Sequence, residues 1–332
     1  MVDSATSVRA TVQLGQLSVA DTALPLLVEP LDTRNWRAVI DDIQAAIKDH
    51  LEQCGGVLLR GFDFNGEEDF REFAQTFGHD LLSYDYASTP RTKVDSGVYT
   101  STEYPAHQII PLHNEQAYTL SWPMRIWFHC VTASPEGGET PIADSRKIFQ
   151  MLDENMREKF AERELLYVRN YGNGLDLPWQ KAFGTEDAQQ VESFCRANSI
   201  EFEWKGDGEL RTRQRCQAVA QHPRTGEMVW FNQAHLFHIS NLPQQTRDTL
   251  ISIVGEENLP RNVYYGDGTP IDEQDLDHVR SVLDQCQVVF PWQEGDVLML
   301  DNMLAAHGRS AFSGNRKIVV AMAEPMVGGQ LV

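Results

Sequence analysis

From residue 286 onward the sequence is a series of short apolar runs, 286–290, 296–300 and 317–323, divided by Glu294-Gly295 and by Ser313-Gly314-Asn315. Runs of this length bounded by turn residues read as strands. Such strands bury an apolar face only by pairing into sheets that pack together. The alternation across 124–132 adds a central strand, with Ile126, Phe128 and Cys130 opposed to Trp127, His129 and Val131. Helical spacing dominates the other end. Trp36, Val39, Ile40, Ile43, Ile47 and Leu51 share one face, and Gly55-Gly56 stops that helix before a short buried strand at 57–60. A second helix is expected from Glu67 to about Phe77, and a third from Asp144 or Ser145 toward Phe160. The pattern predicts an α+β protein built on a β-sandwich or jelly roll.

Residues 1–20 are rich in Ser, Thr and Ala and weakly patterned, and read as an N-terminal arm that is mobile in part. Residues 21–332 are expected to form one domain, with a mixed insert over about 170–285. Within the insert, helices are expected at 187–198, near Gln244 and at 272–285, and strands near 200–204 and 227–231. No apolar stretch approaches the roughly 18–20 residues that span a bilayer. The start lacks the basic-then-apolar layout of a secretory signal. Five scattered cysteines without a C-x-x-C pair fit reduced thiols in the cytoplasm rather than a disulfide framework or a zinc site. A formal charge of −20 argues against nucleic-acid binding, which rests on Lys and Arg neutralising phosphates.

His113-Asn114-Glu115 places two metal-ligand side chains at i and i+2, on one face if the segment is a strand. Two imidazoles and one carboxylate on an octahedral face leave three adjacent positions open, which suits a bidentate 2-oxo acid plus dioxygen. The best candidate for the third ligand is His307, after the strong strand 296–301 and within the turn-rich stretch 302–308. Ten histidines and 48 acidic residues make an isolated H-x-E pair uninformative, so order and context must carry the reading.

Those come from a chain of motifs: residues 55–62 (GGVLLRGF), 99–105 (YTSTEYP), 111–115 (PLHNE), 137–140 (GGET), 144–146 (DSR), 295–297 (GDV), Asp301-Asn302, 307–309 (HGR) and Arg316. In this order they resemble the TauD/TfdA family of Fe(II)/2-oxoglutarate-dependent dioxygenases, and most closely its SyrP-like branch of natural-product enzymes. The resemblance implies a double-stranded β-helix with N-terminal helices and an insert over the active-site mouth. It implies His113, Glu115 and His307 as ligands of Fe(II). It also implies Thr140 and Arg316 as contacts for the far carboxylate of 2-oxoglutarate. Lys317 is the rival to Arg316; strand alternation sends the two to opposite faces, and a guanidinium fork suits a carboxylate better than an ammonium does.

Other residues carry two readings each. Arg309 either touches substrate or holds its loop through an ion pair. Residues 211–215 (RTRQR) either receive an acid group or acidic partner, with Arg213 a substrate candidate, or form a solvated edge strand. Asn232, His235 and His238 either line the pocket or are buried and satisfied. The aromatic stretch 84–99 shapes the mouth or simply packs. The reaction expected is hydroxylation of an unactivated C–H of an amino acid or carrier-tethered aminoacyl group, consuming 2-oxoglutarate and dioxygen and releasing succinate and CO2. Desaturation or ring formation uses the same ligands, whereas halogenation is disfavoured because Glu115 fills the halide's position. Family members acting on free acids resemble one another in a second arginine four residues after the first, where this chain has Val320. Two rivals stand beside the tethered substrate: a free small-molecule acid, and a non-catalytic metal-binding jelly roll, for which Thr140 and Arg316 would have no use. A zinc hydrolase fits less well, since no spare carboxylate adjoins the triad to serve as base.

Overall fold

Helix Ile40–Cys54 buries Ile43, Ala46, Ile47 and Leu51 on one side and ends where Gly55 turns left-handed, φ 80°, its N–H donating to Leu51 O at 2.7 Å. The chain then enters strand Gly56–Leu59, buried along its whole length. In the computed structural model, which describes residues 7–8, 11–18, 22–83, 91–102, 104–172, 174–327 and 330–331, this strand lies inside a ten-stranded sheet. Strand Val297–Asp301 pairs with it, followed in order by Ser121–Thr132, Lys317–Val327 and Val98–Thr100. On the other side Leu26–Pro30 runs parallel to it. Helices Ile40–Cys54 and Gly66–Gln75 cover one face, through Trp36, Ile43, Phe70, Phe73 and Trp127.

The other face of the sheet packs Leu58, Ile126, Phe128, Leu298, Ile318 and Val320 against Ile142 and Ala305. The latter two belong to a three-stranded sheet in the order Ile142–Asp144, Ala305–Arg309, Ile110–His113. A four-stranded sheet, Glu201–Trp204, Leu210–Cys216, Leu165–Tyr171 and Arg261–Tyr265, has its own core with helices Ala188–Ala197 and Glu273–Cys286.

Four expectations of secondary structure need correction, and those for single residues follow with the site. The helix expected from 144 toward 160 is two, Ser145–Met151 and Glu154–Arg163: Leu152 turns extended, ψ 144°, and both Leu152 and Met156 are buried in the insert's core. No strand covers 286–290; Cys286 ends a helix and Val288 makes only an isolated bridge to Ile142. Residues 211–215 are not an edge strand, because Leu210–Cys216 is paired on both sides. Their arginines are also engaged, Arg211 Nε donating to Asn170 Oδ1 at 2.9 Å, Arg213 3.7 Å from Glu203 and Arg215 3.0 Å from Glu164. The fourth concerns the H-x-E segment, described with the site. Half of the expected N-terminal arm lies outside the described residues; of the rest, Val12–Gln16 is a strand paired with Leu26–Pro30. The aromatic stretch falls outside them over 84–90. All five cysteines are free and buried, and among the described residues no helix is long and apolar enough to cross a membrane.

Candidate metal centre

His113 is the last residue of strand Ile110–His113, and its antiparallel partner in register is His307 on Ala305–Arg309. Directly opposed residues bring side chains together on one face, and the two rings lie 4.5 Å apart. His307 therefore sits within a strand, not in a turn. Gly308 permits this pairing, since a Cβ there would stand 2.6 Å from Ile110 O.

Glu115, by contrast, does not share the strand with His113. The strand has ended, Gln116 adopts φ 56°, and Glu115 is placed by hydrogen bonds instead. Its N–H donates to Asn302 Oδ1 at 2.7 Å, while Asn302 Nδ2 donates to Glu115 O and Pro123 O, both at 2.9 Å. Asn114 Nδ2 completes the clasp by donating to Asn302 O at 2.7 Å and Ser145 Oγ at 3.1 Å. The preceding Asp301 is buried, accepts from the N–H groups of Met303 and Leu304, and meets Arg125 at 2.6 Å. The Asp301-Asn302 pair thus fixes the turn that leads to His307 and the backbone of Glu115 together.

One ligand-type atom from each of His113, Glu115 and His307 lies within 4.8 Å of the others, and His307 Nε2 is 3.9 Å from Glu115 Oε2. His113 Nδ1 donates to Pro111 O at 2.9 Å, which leaves Nε2 with its lone pair. Burial holds the His113 imidazole below its ordinary range, against the opposing pull of Glu115. Burial, with His113 and Arg91 nearby, holds His307 well below it. Two neutral imidazoles and a carboxylate are a donor set that fits a divalent first-row metal.

The same pocket is walled by Arg316, Thr140, Phe128 and Ser101. Arg316 Nε donates to Gly138 O at 2.7 Å and one terminal nitrogen to Ser101 Oγ at 3.2 Å. A Cβ on Gly138 would come within 2.9 Å of Arg316 Cδ, so the glycine clears the arginine's path. Burial, with Arg309 adding its charge, pushes the Arg316 guanidinium down to about 10. Among the described residues no acidic side chain forms an ion pair with it. Thr140 is buried alongside, its Oγ1 accepting from Trp292 Nε1 at 3.2 Å. Lys317 points away to an ion pair with Glu67 and is half exposed.

The substrate candidates fare less well. Arg309 lines the pocket but donates to the carbonyls of Thr102, Tyr104, Pro105 and Gln108 at 2.8–3.2 Å; it holds that loop through carbonyls, not through an ion pair. Asn232 bonds Ala218 O and the N–H of Ala234, outside the pocket. Arg213 belongs to the four-stranded sheet and is likewise outside it. His235 and His238 are buried; His235 Nε2 donates to Leu112 O at 2.8 Å and so braces the strand that carries His113. Sequence reasoning missed Arg91, a buried guanidinium 2.5 Å from Glu115 Oε2. Nothing in its local pattern marks it, since it reaches the site from across the fold.

Paired histidines and a clasped glutamate, with a guanidinium that forms no ion pair among the described residues close by, fit a mononuclear non-haem metal enzyme. Residues 20–322 match the sequence profile of the taurine catabolism dioxygenase TauD, TfdA family, and the chain belongs to that family. It is a 2-oxoglutarate-dependent non-haem iron dioxygenase. It is 42% identical over 280 residues to the dapdiamide synthesis protein DdaC of Enterobacter agglomerans, covering 84% of this chain and 85% of that one. It is 30% identical to the clavaminate synthase-like protein At3g21360 of Arabidopsis thaliana, over 90% of this chain and 88% of the other. Among solved structures, PvcB, an Fe, alpha-ketoglutarate dependent oxygenase from an isonitrile synthetic pathway, shares the fold at TM-score 0.56 and 17% identity, covering 99% and 98% of the two chains.

Proposed function

We propose that His113, Glu115 and His307 hold the iron, that Arg316 and Thr140 hold the far carboxylate of 2-oxoglutarate, and that the enzyme hydroxylates an unactivated C–H of an amino acid or carrier-tethered aminoacyl group in a biosynthetic pathway. The observation that carries the reading is Arg316, a largely buried cation that forms no ion pair with an acidic side chain among the described residues, in the pocket lined by both histidines of the triad. A buried charge is stable when paired, and a dicarboxylate anchored at one end on the metal supplies the pair at the other. When bound, the iron supplies the oxidising chemistry: dioxygen, 2-oxoglutarate and R–H give R–OH, succinate and CO2.

The chain's own part is geometric. The Asn302 clasp fixes Glu115, strand pairing fixes the imidazoles, and Phe128, 4.9 Å from the His307 ring, keeps an apolar wall beside them. We read the ten- and three-stranded sheets, packed through one apolar layer, as the two sheets of a double-stranded β-helix. The buried thiols support a reducing, cytoplasmic setting. Kinship with a dapdiamide synthesis protein supports a biosynthetic role.

A second reading, hydroxylation or desaturation of a free small-molecule acid, is favoured by one observation. Val320 is fully buried among apolar neighbours and offers no cation, Arg213 lies outside the pocket and Arg309 is bonded to carbonyls in its wall, but Arg91, which also pairs with Glu115, places a second guanidinium inside the pocket. The test offers one amino acid both free and as its pantetheine thioester, and follows succinate released from labelled 2-oxoglutarate. Preference for the thioester supports the tethered substrate, preference for the free acid supports the second reading, and no succinate with any of a broad panel defeats both.

A further inference from the structure

Strand Ile110–His113 lies at the outer edge of the three-stranded sheet, and Ala305–Arg309 is its only strand partner among the described residues. An edge strand leaves backbone groups unpaired on its free side, and where they are buried they need partners from elsewhere. Two such partners are side chains of the insert. His235 Nε2 donates to Leu112 O and Gln233 Nε2 donates to Asn114 O, both at 2.8 Å. The donors and the acceptors all belong to buried residues. Asn114 O also receives Ala117 N at 3.3 Å, within its own turn.

These two carbonyls govern the metal ligands. A peptide unit is planar, so holding its C=O fixes the nitrogen and the Cα of the residue that follows. The peptide of Leu112 leads into His113, and the peptide of Asn114 leads into Glu115. The second of these planes is gripped at both ends, by Gln233 at its oxygen and by Asn302 Oδ1 at the Glu115 nitrogen. The donors are themselves anchored. Gln233 N donates to the Tyr167 hydroxyl of strand Leu165–Tyr171 at 2.8 Å. Asn232 Oδ1 accepts from Ala234 N at 2.9 Å, and Asn232 Nδ2 donates to Ala218 O at 2.7 Å. Arg280, of helix Glu273–Cys286, donates to His235 O at 2.9 Å. Segment 232–235 therefore ties the H-x-E triplet to the four-stranded sheet and its helix, and not to the sheet that carries His307.

We infer that Gln233 and His235 are positioning residues for the metal centre: through these two side chains the insert sets His113 and Glu115 against each other, and with them the affinity for the metal. The proposal rests on the reading of His113 and Glu115 as metal ligands. Neither Gln233 nor His235 walls the pocket of the metal centre, so they act through the backbone they hold. Coupling of this kind is reciprocal, so metal binding in turn steadies segment 232–235.

The test follows binding of Mn(II) by electron paramagnetic resonance, on the full chain with 2-oxoglutarate, in variants whose circular dichroism is native. Gln233→Met and His235→Leu keep apolar bulk and lose the donor. Each should weaken Mn(II) binding about tenfold or more, the range for groups that support a metal ligand. His235→Gln restores an N–H at similar reach and should recover most of the loss. Asn170→Ala removes buried hydrogen bonds to Glu257 O and Leu259 O in the same insert, touches neither carbonyl, and should leave the affinity unchanged. Unchanged affinity in both donor-less variants overturns the inference. So does an equal loss in Asn170→Ala, or a loss in His235→Gln as large as in His235→Leu. Should the donor-less variants fail to fold, hydrogen exchange on the unmodified chain decides: Mn(II) with 2-oxoglutarate should slow exchange of the amides of 233–238, and unchanged exchange there overturns the inference. An unmodified chain that binds no Mn(II), or a His113→Ala chain that binds it equally well, defeats the ligand assignment instead.

Discussion

Asn302 does not line the pocket of the metal centre, yet its replacement by alanine should damage both stability and metal binding. Its side chain makes three hydrogen bonds, all in the buried interior: it accepts from Glu115 N and donates to Glu115 O and Pro123 O. At about 1 kcal/mol net for each bond the loss is about 3 kcal/mol, and incompletely rehydrated buried groups raise it toward about 5 kcal/mol. That is a large part of a typical domain's 5–15 kcal/mol. The damage is also directional, because two of the three bonds fix the backbone of a metal ligand. Supporting contacts of this kind change metal affinity by about 10–100-fold. The assay pairs urea denaturation of the metal-free chain with titration of Mn(II) in the presence of 2-oxoglutarate. Asn302→Asp keeps the acceptor for Glu115 N but loses both donors, so it should retain more stability than Asn302→Ala only if that acceptor bond dominates. A stability loss below about 1 kcal/mol together with unchanged Mn(II) affinity would refute the clasp.

Three further outcomes are expected. Arg316→Leu should raise the 2-oxoglutarate requirement by more than about a hundredfold, the loss of a buried carboxylate's charged partner being on the order of 3–5 kcal/mol; Lys317→Leu, on the exposed face, should change little, and reversed phenotypes would overturn the assignment. His113→Ala, Glu115→Ala and His307→Ala should each abolish iron-dependent turnover while circular dichroism stays native, and Glu115→Ala assayed with chloride also checks whether a halide enters the opened position. Burial pushes His235 down to about 3 from 6.5, so it stays neutral in the fold while the unfolded chain takes up a proton. Its contribution is therefore full above pH 6.5 and falls as the pH drops toward 3. Urea midpoints should decline from pH 6.5 to about 4.5, with a shallower slope in His235→Leu; identical slopes would exclude His235 as a source.

The parts legible in the sequence were those fixed by local rules. Helix Ile40–Cys54 and its glycine stop follow from periodicity and from the freedom of Gly55 to take a positive φ. Arg316 and Lys317 do part as strand alternation predicts, one into the pocket and one to Glu67, although Arg316 lies just before strand Lys317–Val327. The parts that were not legible depend on distant partners. Glu115 at i+2 looked like a strand neighbour of His113, but its position is set by Asn302, far along the chain. The break at Leu152 arises because tertiary packing buries both Leu152 and Met156. The alternation of 211–215 was visible, but its rank within a sheet was not, because an edge strand and a central strand with ion-paired outward residues read alike in one dimension. Arg91 carries no signal, since a lone arginine becomes part of a site only through the fold.

The charge of the site runs against the charge of the chain. A molecule of net charge −20 should repel a dianionic co-substrate, yet the pocket gathers Arg91, Arg309 and Arg316, and no acidic side chain is among its described lining residues. Over distances beyond about 8–10 Å salt screens the acidic surface, whereas groups inside the pocket are screened far less. Local charge therefore governs binding, and the three arginines divide the work by their contacts. Arg309 is satisfied by four carbonyls and holds the wall in place. Arg91 is set against Glu115 itself, so a divalent ion that binds this carboxylate must share or displace that contact. Arg316 donates to a carbonyl and a hydroxyl, neutral acceptors that orient a guanidinium without neutralising it, and lies over the Phe312 ring. A co-substrate carboxylate gains most from a cation that forms no ion pair and still has N–H groups to offer; Arg91 is paired with Glu115 and Arg309 gives four hydrogen bonds to carbonyls, whereas Arg316 gives two.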